Sequence, residues 1–179
     1  MEFVRTPLDG VFEIHAHHLA DDRGDFLKIF NAELYHPIAP QLSIREIYCS
    51  RSKRGVVRGL HYQIAPFEMD KIIFCVKGAV WDVCVDLRPS SPTLGQNFAV
   101  ELNEANGKGV FIPKGLAHGL QALAEDSIVI NAASEIYAPT HERGIAWDSC
   151  GIDWSDGVAI VSPKDQAQPR LKDHLAAIQ

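Results

Sequence analysis

Two histidines, His61 and His118, stand in motifs whose spacing can bring several donor groups together. The first motif is Gly55-x5-His61-x-Gln63-x4-Glu68, and the second is Pro113-x-Gly115-x2-His118. Two imidazoles, an amide and a carboxylate could together hold iron or manganese. The amide of Gln63 is, however, a poor ligand for such ions, so the motifs indicate a strand architecture more strongly than they indicate a metal.

A second group of histidines, His15, His17 and His18, lies in the segment EIHAHHLADD. Alternation along a strand would put His15 and His17 on the same side of that strand. No third ligand accompanies them in the sequence, and exposed histidines are common on strands. We therefore expect no metal site in this segment.

The elements that must position these groups are mostly strands. Two segments rich in β-branched and aromatic residues, 71–76 and 79–87, are separated by Lys77-Gly78, which is typical of a hairpin turn. Further short strands are predicted at 55–60, 109–112 and 127–132, with Gly or Pro between them. Many short strands at such spacing predict an all-β sandwich or barrel.

One short helix is predicted at the C-terminal end. Over residues 169–178, Leu171, Leu175 and Ile178 fall on one helical face, and Pro169 can occupy the first turn. No repeat, low-complexity tract or linker divides the chain, so a single domain over residues 1–179 is expected.

The composition limits the classes of partner. The formal net charge of −6 argues against nucleic acid, whose phosphates require a basic face, but a few arginines would suffice for a small anion. No stretch is apolar over the length of a membrane span, and the first ten residues lack the apolar run of a signal peptide. A cytoplasmic protein is expected.

Cys75 and Cys84 lie in apolar runs and should be buried free thiols.

Both histidine motifs resemble the paired motifs of cupins, and six longer stretches resemble one cupin family, the dTDP-4-dehydrorhamnose 3,5-epimerases. The resemblance runs from about Arg5 to Leu171. In chain order, the stretches are DDRGDFLKIFN (21–31), SRSKRGVVRGLHYQ (50–63), WDVCVDLRPSSPTLGQ (81–96), IPKGLAHGLQAL (112–123), YAPTHERGIAW (137–147) and SPKD (162–165). The resemblance implies a cupin-type jelly-roll barrel that uses no metal or other cofactor. It also implies a homodimer, in which the N-terminal arm, residues 1–35, could be exchanged.

Members of that family act on a nucleotide-linked sugar whose C4 is a ketone. The ketone acidifies the hydrogens on C3 and C5, so a base can remove one of them and form an enolate. Reprotonation from the opposite face then inverts the carbon. The reaction needs a base, a group that stabilises the enolate oxygen, and an acid across the ring.

The resemblance assigns three catalytic roles. His61 matches the base, Asp165 matches the carboxylate that orients it, and Lys71 matches the lysine beside the C4 oxygen.

Asp82 should have a partner in any case, because an unpaired charge is costly to bury. Arg23 and Arg58 match the arginines that hold the pyrophosphate, and Tyr137 matches an aromatic position near the nucleotide base. The full set of expected substrate-binding residues is Arg23, Lys28, Arg58, Gln63, Asp82, His118, Asn131, Tyr137 and Arg143.

The sequence departs from the family pattern at two single positions and in one short segment. The family's acid is a tyrosine, and Asn131 stands in its place; an amide cannot supply a proton at neutral pH. Lys28 replaces a glutamate near the nucleotide base, which predicts a weaker preference for dTDP. Glu46-Ile47-Tyr48 replaces a Gln-x-Asn pattern. Another donor, a water or the hydroxyl of Tyr48 or Tyr62, must then serve, and inversion at C3 alone is expected.

Two other functions fit the same residues. A ketoisomerase could use the same base to move the carbonyl between C3 and C4, and its product would differ in the position of the ketone. A metal-dependent or non-catalytic cupin that binds a sugar or a small acid is the alternative from a different class. Elemental composition of the purified protein distinguishes its metal-dependent form.

Overall fold

The computed structural model describes residues 1–154 and 159–177. Its strands form two sheets that pack face to face, and a separate hairpin. The first sheet contains, in spatial order, β1 (Glu2–Arg5), β2 (Phe12–His15), β10 (Lys108–Ile112), β7 (Lys71–Lys77), β12 (Ser127–Ala133) and β5 (Glu46–Ser52). The second contains β13 (Glu142–Gly144), β6 (Val56–Gln63), β11 (Leu116–Ala122), β8 (Ala79–Asp86) and β9 (Asn97–Asn103), and β14 (Ile160–Val161) pairs with β6.

The remaining elements are short. They are the hairpin of β3 (His17–Asp21) and β4 (Gly24–Lys28), the helices α1 (Ala32–Tyr35), α2 (Pro163–Gln166) and α3 (Leu171–Ala177), and a 3-10 turn at Trp147–Ser149. The all-β prediction and the short C-terminal helix are confirmed. The helix begins two residues after Pro169, and Ile178 lies outside the described residues. No helix among the described residues is long and apolar enough to cross a bilayer.

Alternation along the strands separates inward from outward side chains. On β7, Ile73 and Cys75 belong to the core between the sheets, and on β8 Val80 and Cys84 do the same. Both cysteines are buried, as predicted. Because side chains two apart point to the same face, this alternation also turns Asp82 inward, between Val80 and Cys84. The space between the sheets therefore receives ionisable groups as well as apolar ones.

The prediction of a hairpin at Lys77-Gly78 is wrong. β7 pairs with β10 and β12 in the first sheet, whereas β8 pairs with β9 and β11 in the second. Gly78 has a φ of +72°, which lets the chain turn sharply here. The Ser127 hydroxyl fixes the turn by donating to the Ala79 carbonyl at 2.9 Å. The chain crosses from one sheet to the other at this point.

The N-terminal segment also differs from expectation. His15 ends β2 and His17 begins β3, so the two histidines do not lie on one strand. Between them, the Ala16 N–H donates to the Gly107 carbonyl at 3.0 Å, which anchors the break. β1 and β2 are built into the first sheet. Of the expected arm, the β3–β4 hairpin is the stranded part that lies outside both sheets.

Gly59 is a position on β6 where this strand approaches β11 closely. Its φ is +103°, and a Cβ there would lie 2.6 Å from the His118 carbonyl oxygen and 2.8 Å from Gly119 Cα. We predict that Gly59→Ala lowers the free energy of unfolding by about 3 kcal/mol, because backbone strain and a backbone clash add together. Urea denaturation measures the loss.

Gly24→Ala is the matched control for that substitution. Gly24 has a similar φ of +118°, but nothing lies within 4 Å of the position that a Cβ would take there, so the control carries the backbone strain without the clash. It should cost only about 1–2 kcal/mol. Equal losses in the two variants would contradict the close approach of β6 and β11.

Candidate active site

A cavity of about 760 Å³ lies between the two sheets, a volume within the usual range for small-molecule sites. The second sheet contributes His61 and His118 to its wall, and the first sheet contributes Lys71, Asn131 and Tyr48. All these residues lie on strands, so the same inward alternation that builds the apolar core aims them into the cavity. The structure thus brings together residues that are up to 83 positions apart, from 48 to 131.

His61 and Asp165 form a hydrogen-bonded pair in this wall. The distance from His61 Nε2 to Asp165 Oδ1 is 2.7 Å, so the predicted contact is present. Asp165 lies in α2, where its own N–H donates to the Ser162 side chain that caps the helix, and its Oδ2 accepts from the Gly59 N–H at 3.3 Å. Burial alone would raise the pKa of Asp165, but the hydrogen bond from His61 and the smaller contributions from Gly59 and Ser162 outweigh it and lower that pKa. The carboxylate is therefore ionised and fixed.

Glu142 is a second carboxylate beside His61, and the sequence analysis missed it. Its Oε1 lies 3.7 Å from His61 Nδ1, while its Oε2 accepts from the Tyr137 hydroxyl at 2.8 Å and pairs with the Lys164 ammonium. Burial raises the pKa of Glu142, but the hydrogen bonds from Lys164 and Tyr137 and the charge of His61 outweigh it, so the pKa is lowered. The imidazole thus has an anionic neighbour at each ring nitrogen.

Lys71 places a cation in the same cavity. The residue is 8% exposed, and its Nζ donates to the His61 carbonyl oxygen at 3.3 Å. Burial lowers the pKa of Lys71 to about 8, although the carboxylates of Asp82 and Glu142 act in the opposite direction. The ammonium therefore begins to lose its proton only slightly above neutral pH, and a developing negative charge beside it would be well stabilised.

His118 and Asp82 form a second buried pair. His118 Nε2 lies 2.8 Å from Asp82 Oδ2, so the prediction that Asp82 has a partner is confirmed. His118 is part of the cavity wall, and Asp82 is not. The carboxylate therefore orients the imidazole from behind the wall. The pair gives the cavity a second oriented imidazole.

Gln63 holds the loop that carries Tyr137. Its Nε2 donates to the Phe67 and Ile136 carbonyls at 2.6 and 3.2 Å, and its Oε1 accepts from the Ala138 N–H at 2.6 Å. Gln63 borders the cavity, but its amide is occupied by the backbone. This geometry fits a role in positioning the loop better than direct contact with a ligand.

The donor set does not fit a metal ion. His61 and His118 each direct Nε2 to an aspartate, and the Gln63 amide is bonded to the backbone. Over residues 1–154 and 159–177, no group of three or more His, Cys, Asp or Glu side chains is arranged to hold a metal. The arrangement instead offers an oriented imidazole and a cation, which suits removal of a proton next to a carbonyl.

Three of the other expected binding residues border the cavity. Asn131 is buried in its wall, and Tyr137 is half-exposed at its edge. Arg58 also borders it; its Nε donates to the Ser52 hydroxyl at 2.9 Å, and its guanidinium also donates to the Arg51 carbonyl. These contacts leave part of the Arg58 guanidinium available at the opening.

Arg23, Lys28 and Arg143 are not part of this chain's cavity wall. Arg23 lies between the strands of the β3–β4 hairpin and pairs with Asp21, and Lys28 ends β4. Arg143 lies on β13 but donates to the carbonyl of Thr140, in the preceding loop, and to that of Glu142, its neighbour on the strand. Motif matching identified these residues by type, but whether a side chain reaches the cavity depends on packing that the motifs do not encode.

Comparisons with known proteins agree on one family. A family model described as dTDP-4-dehydrorhamnose 3,5-epimerase matches residues 5–173. A dTDP-4-dehydrorhamnose 3-epimerase from Streptomyces niveus is 35% identical over 162 residues, covering 89% of this chain and 78% of that protein.

Solved structures extend the likeness to the fold. The dTDP-4-dehydrorhamnose 3,5-epimerase from Sulfolobus tokodaii is 44% identical, with a TM-score of 0.89 and coverage of 96% of this chain and 95% of that chain. A 3,5-epimerase from Legionella pneumophila, solved in complex with dTDP-4-keto-L-rhamnose, is 34% identical, with a TM-score of 0.91 and coverage of 96% and 93%. The predicted cupin-type fold is confirmed by these likenesses.

We predict that the Lys71 ammonium titrates near pH 8, well below the ordinary value for lysine, because burial disfavours its charged form. NMR of protein labelled with 13C at lysine Cε follows the titration, and Lys71→Arg identifies the resonance. Asp82→Asn should move the midpoint lower still, since it removes a carboxylate that supports the charge. A midpoint at the ordinary value would contradict the buried environment of Lys71.

Proposed function

The chain belongs to the dTDP-4-dehydrorhamnose 3,5-epimerase family, and from that premise we propose that it epimerises a nucleoside-diphosphate 4-keto-6-deoxy sugar through an enolate. The observation that carries the proposal is the His61–Asp165 pair in one cavity with the buried Lys71 ammonium. Such a base and such a cation are what proton removal beside a ketone requires.

His61 acts as the base in this proposal. Asp165 accepts a hydrogen bond from the N–H at Nε2 of His61. The lone pair of the neutral imidazole therefore lies on Nδ1. When Nδ1 takes a proton from the sugar, the ring becomes a cation between the carboxylates of Asp165 and Glu142. Both carboxylates therefore stabilise the charge that forms on the base during the reaction.

Lys71 stabilises the enolate oxygen. As the C–H bond breaks, its electron pair moves toward the C4 oxygen, which gains negative charge. A buried ammonium acts on that charge more strongly than an exposed one, because little water screens the interaction. The second imidazole, His118, borders the same cavity and would bind a polar group of the sugar.

The nucleotide would lie toward the opening, where Arg58 and Tyr137 border the cavity. The relative from Legionella pneumophila was solved with a dTDP-linked keto sugar, which supports a nucleotide-linked ligand here. We propose that Arg23 and Lys28 contribute from a second copy of the chain in a homodimer, since they lie on a hairpin outside their own cavity wall.

The carbon inverted is proposed to be C3. Asn131 replaces the family's acid tyrosine, so protonation depends on another group. C3 lies near the hydroxyl-bearing edge of the sugar, whereas C5 carries the methyl group. The name of the Streptomyces niveus relative, a 3-epimerase, supports inversion of C3 alone within this family.

Replacing the base tests the proposal most simply. We predict that His61→Asn lowers turnover roughly a hundredfold to ten-thousandfold, the usual contribution of a general base. The assay follows a dTDP-4-keto-6-deoxy sugar in deuterated water by NMR, where incorporation of deuterium reports proton removal. Asp165→Asn should act in the same direction but less severely, because the imidazole remains.

Three outcomes would overturn this assignment. Deuterium exchange at the wild-type rate in His61→Asn would show that another group removes the proton. Loss of wild-type activity on chelation, restored by one metal, would favour a metal-dependent cupin. A product whose ketone has moved to C3 would indicate a ketoisomerase with the same base.

The position of the deuterium tests the choice of carbon. We predict that the wild-type protein incorporates deuterium at C3 with inversion, and that inversion at C5 is slower by roughly a hundredfold or more, the usual contribution of a positioned acid. Proton and carbon NMR of the product distinguish the two positions. Comparable rates at C3 and C5 would contradict inversion at C3 alone.

A further inference from the structure

Tyr48 lies directly opposite Asn131 across a strand pair. β5 and β12 are antiparallel, and their register pairs Asn131 with Tyr48. Residues opposite each other in such a pair point to the same face of the sheet, with Cβ atoms about 5 Å apart. Both residues border the cavity. A tyrosine therefore stands one strand away from the position at which the family resemblance places its acid.

The alternation of β5 fixes the direction of the Tyr48 side chain. Glu46, Tyr48 and Ser50, at every second position, border the cavity, whereas Ile47 between them is 69% exposed on the other face. Shifting the strand by one residue would put Ile47 into the cavity and Tyr48 outside it. The phenol is thus held inward by the sheet.

Tyr48 is also the tyrosine whose hydroxyl is uncommitted. The chain has four tyrosines. The hydroxyl of Tyr35 donates to the Ile29 carbonyl, that of Tyr62 is bonded to His174, and that of Tyr137 donates to Glu142. Within residues 1–154 and 159–177, the Tyr48 hydroxyl has no hydrogen-bond partner. It is free to contact a ligand in the cavity.

The surroundings of Tyr48 keep its phenol protonated. The residue is partly exposed because the cavity is open to solvent, but burial of the ring raises the pKa of Tyr48, and the carboxylates of Glu46 and Glu142 raise it further. A phenol that holds its proton at neutral pH begins the reaction as a donor. His61 projects from the second sheet and Tyr48 from the first, so the two groups face the cavity from opposite walls.

We propose that Tyr48 is the catalytic acid, and that it replaces, from the neighbouring strand, the tyrosine that is absent at position 131. The proposal rests on the epimerase function proposed above. His61 removes a proton from one face of the sugar, and the electron pair moves to the C4 oxygen. As the enolate collapses, the Tyr48 O–H bond breaks and a C–H bond forms on the opposite face, which leaves a phenolate. A proton passes from the imidazolium to the phenolate, directly or through water, and restores both groups.

Tyr48→Phe separates proton removal from inversion. The variant keeps the ring and loses the hydroxyl, so His61 should still form the enolate and return a solvent deuteron to the same face. We expect formation of the inverted epimer to fall roughly a hundredfold or more, while deuterium still enters the sugar with retained configuration. A merely structural role for Tyr48 would lower both readouts together. Tyr35→Phe, which removes a phenol hydroxyl that donates to the Ile29 carbonyl away from the cavity, is the matched control and should invert normally.

A positional exchange tests the strand pairing itself. Tyr48→Asn should lose inversion, and combining it with Asn131→Tyr should restore inversion, because the phenol then enters the same cavity from the adjacent strand. Titration with dTDP verifies that each variant retains a folded site. Recovery in the double variant supports the proposal, and a double variant that binds dTDP but remains inactive in inversion counts against it.

The outcomes separate this inference from the function on which it rests. If the wild-type protein introduces no deuterium into any dTDP-4-keto-6-deoxy sugar, the epimerase function is overturned, and the acid assignment with it. If the wild-type protein inverts the sugar and Tyr48→Phe inverts it equally fast, the acid assignment alone is overturned.

Discussion

The cost of placing ionisable side chains between the two sheets governs this structure. The sheets are held together by inward apolar side chains, yet the same alternation turns His61, His118, Lys71 and Asp82 into the space between them. Ionised groups removed from water are costly unless they are paired and hydrogen-bonded. Each imidazole accordingly has its own aspartate, at 2.7 Å and 2.8 Å. The cavity is therefore lined by two oriented imidazoles and by the Lys71 ammonium, which donates to the His61 carbonyl oxygen.

The local structure around Asp165 shows how far this requirement reaches. The carboxylate is positioned by the capped helix α2 and by the N–H of Gly59, and Gly59 in turn can approach β11 only because it has no side chain. The orientation of His61 thus depends on the Ser162 cap and on Gly59, which are about a hundred residues apart in the sequence. A stable barrel and an oriented imidazole are consequences of the same contacts.

Much of the fold followed from the sequence, because period-two alternation and glycine or proline punctuation are local signals. The predicted strands at 55–60, 71–76 and 127–132 correspond to β6, β7 and β12. The turn at Gly78 was misassigned because a turn signal does not say which sheet the next strand joins. Glu142 was missed because its contact with His61 depends on the pairing of β13 with β6. Tyr48 and Asn131 each stood out from the family pattern, but only the strand register shows that they face each other.

Both proposals require a keto sugar to lie between a base on one sheet and an acid on the other. A crystal structure of the His61→Asn variant with a bound dTDP-4-keto-6-deoxy sugar would show this arrangement, because the substrate would be retained unreacted. We expect C3 to lie between residue 61 and the Tyr48 hydroxyl, with the C4 oxygen within hydrogen-bond distance of Lys71 Nζ. A sugar bound with its C4 oxygen away from Lys71, or with the same ring face toward both residues, would contradict it.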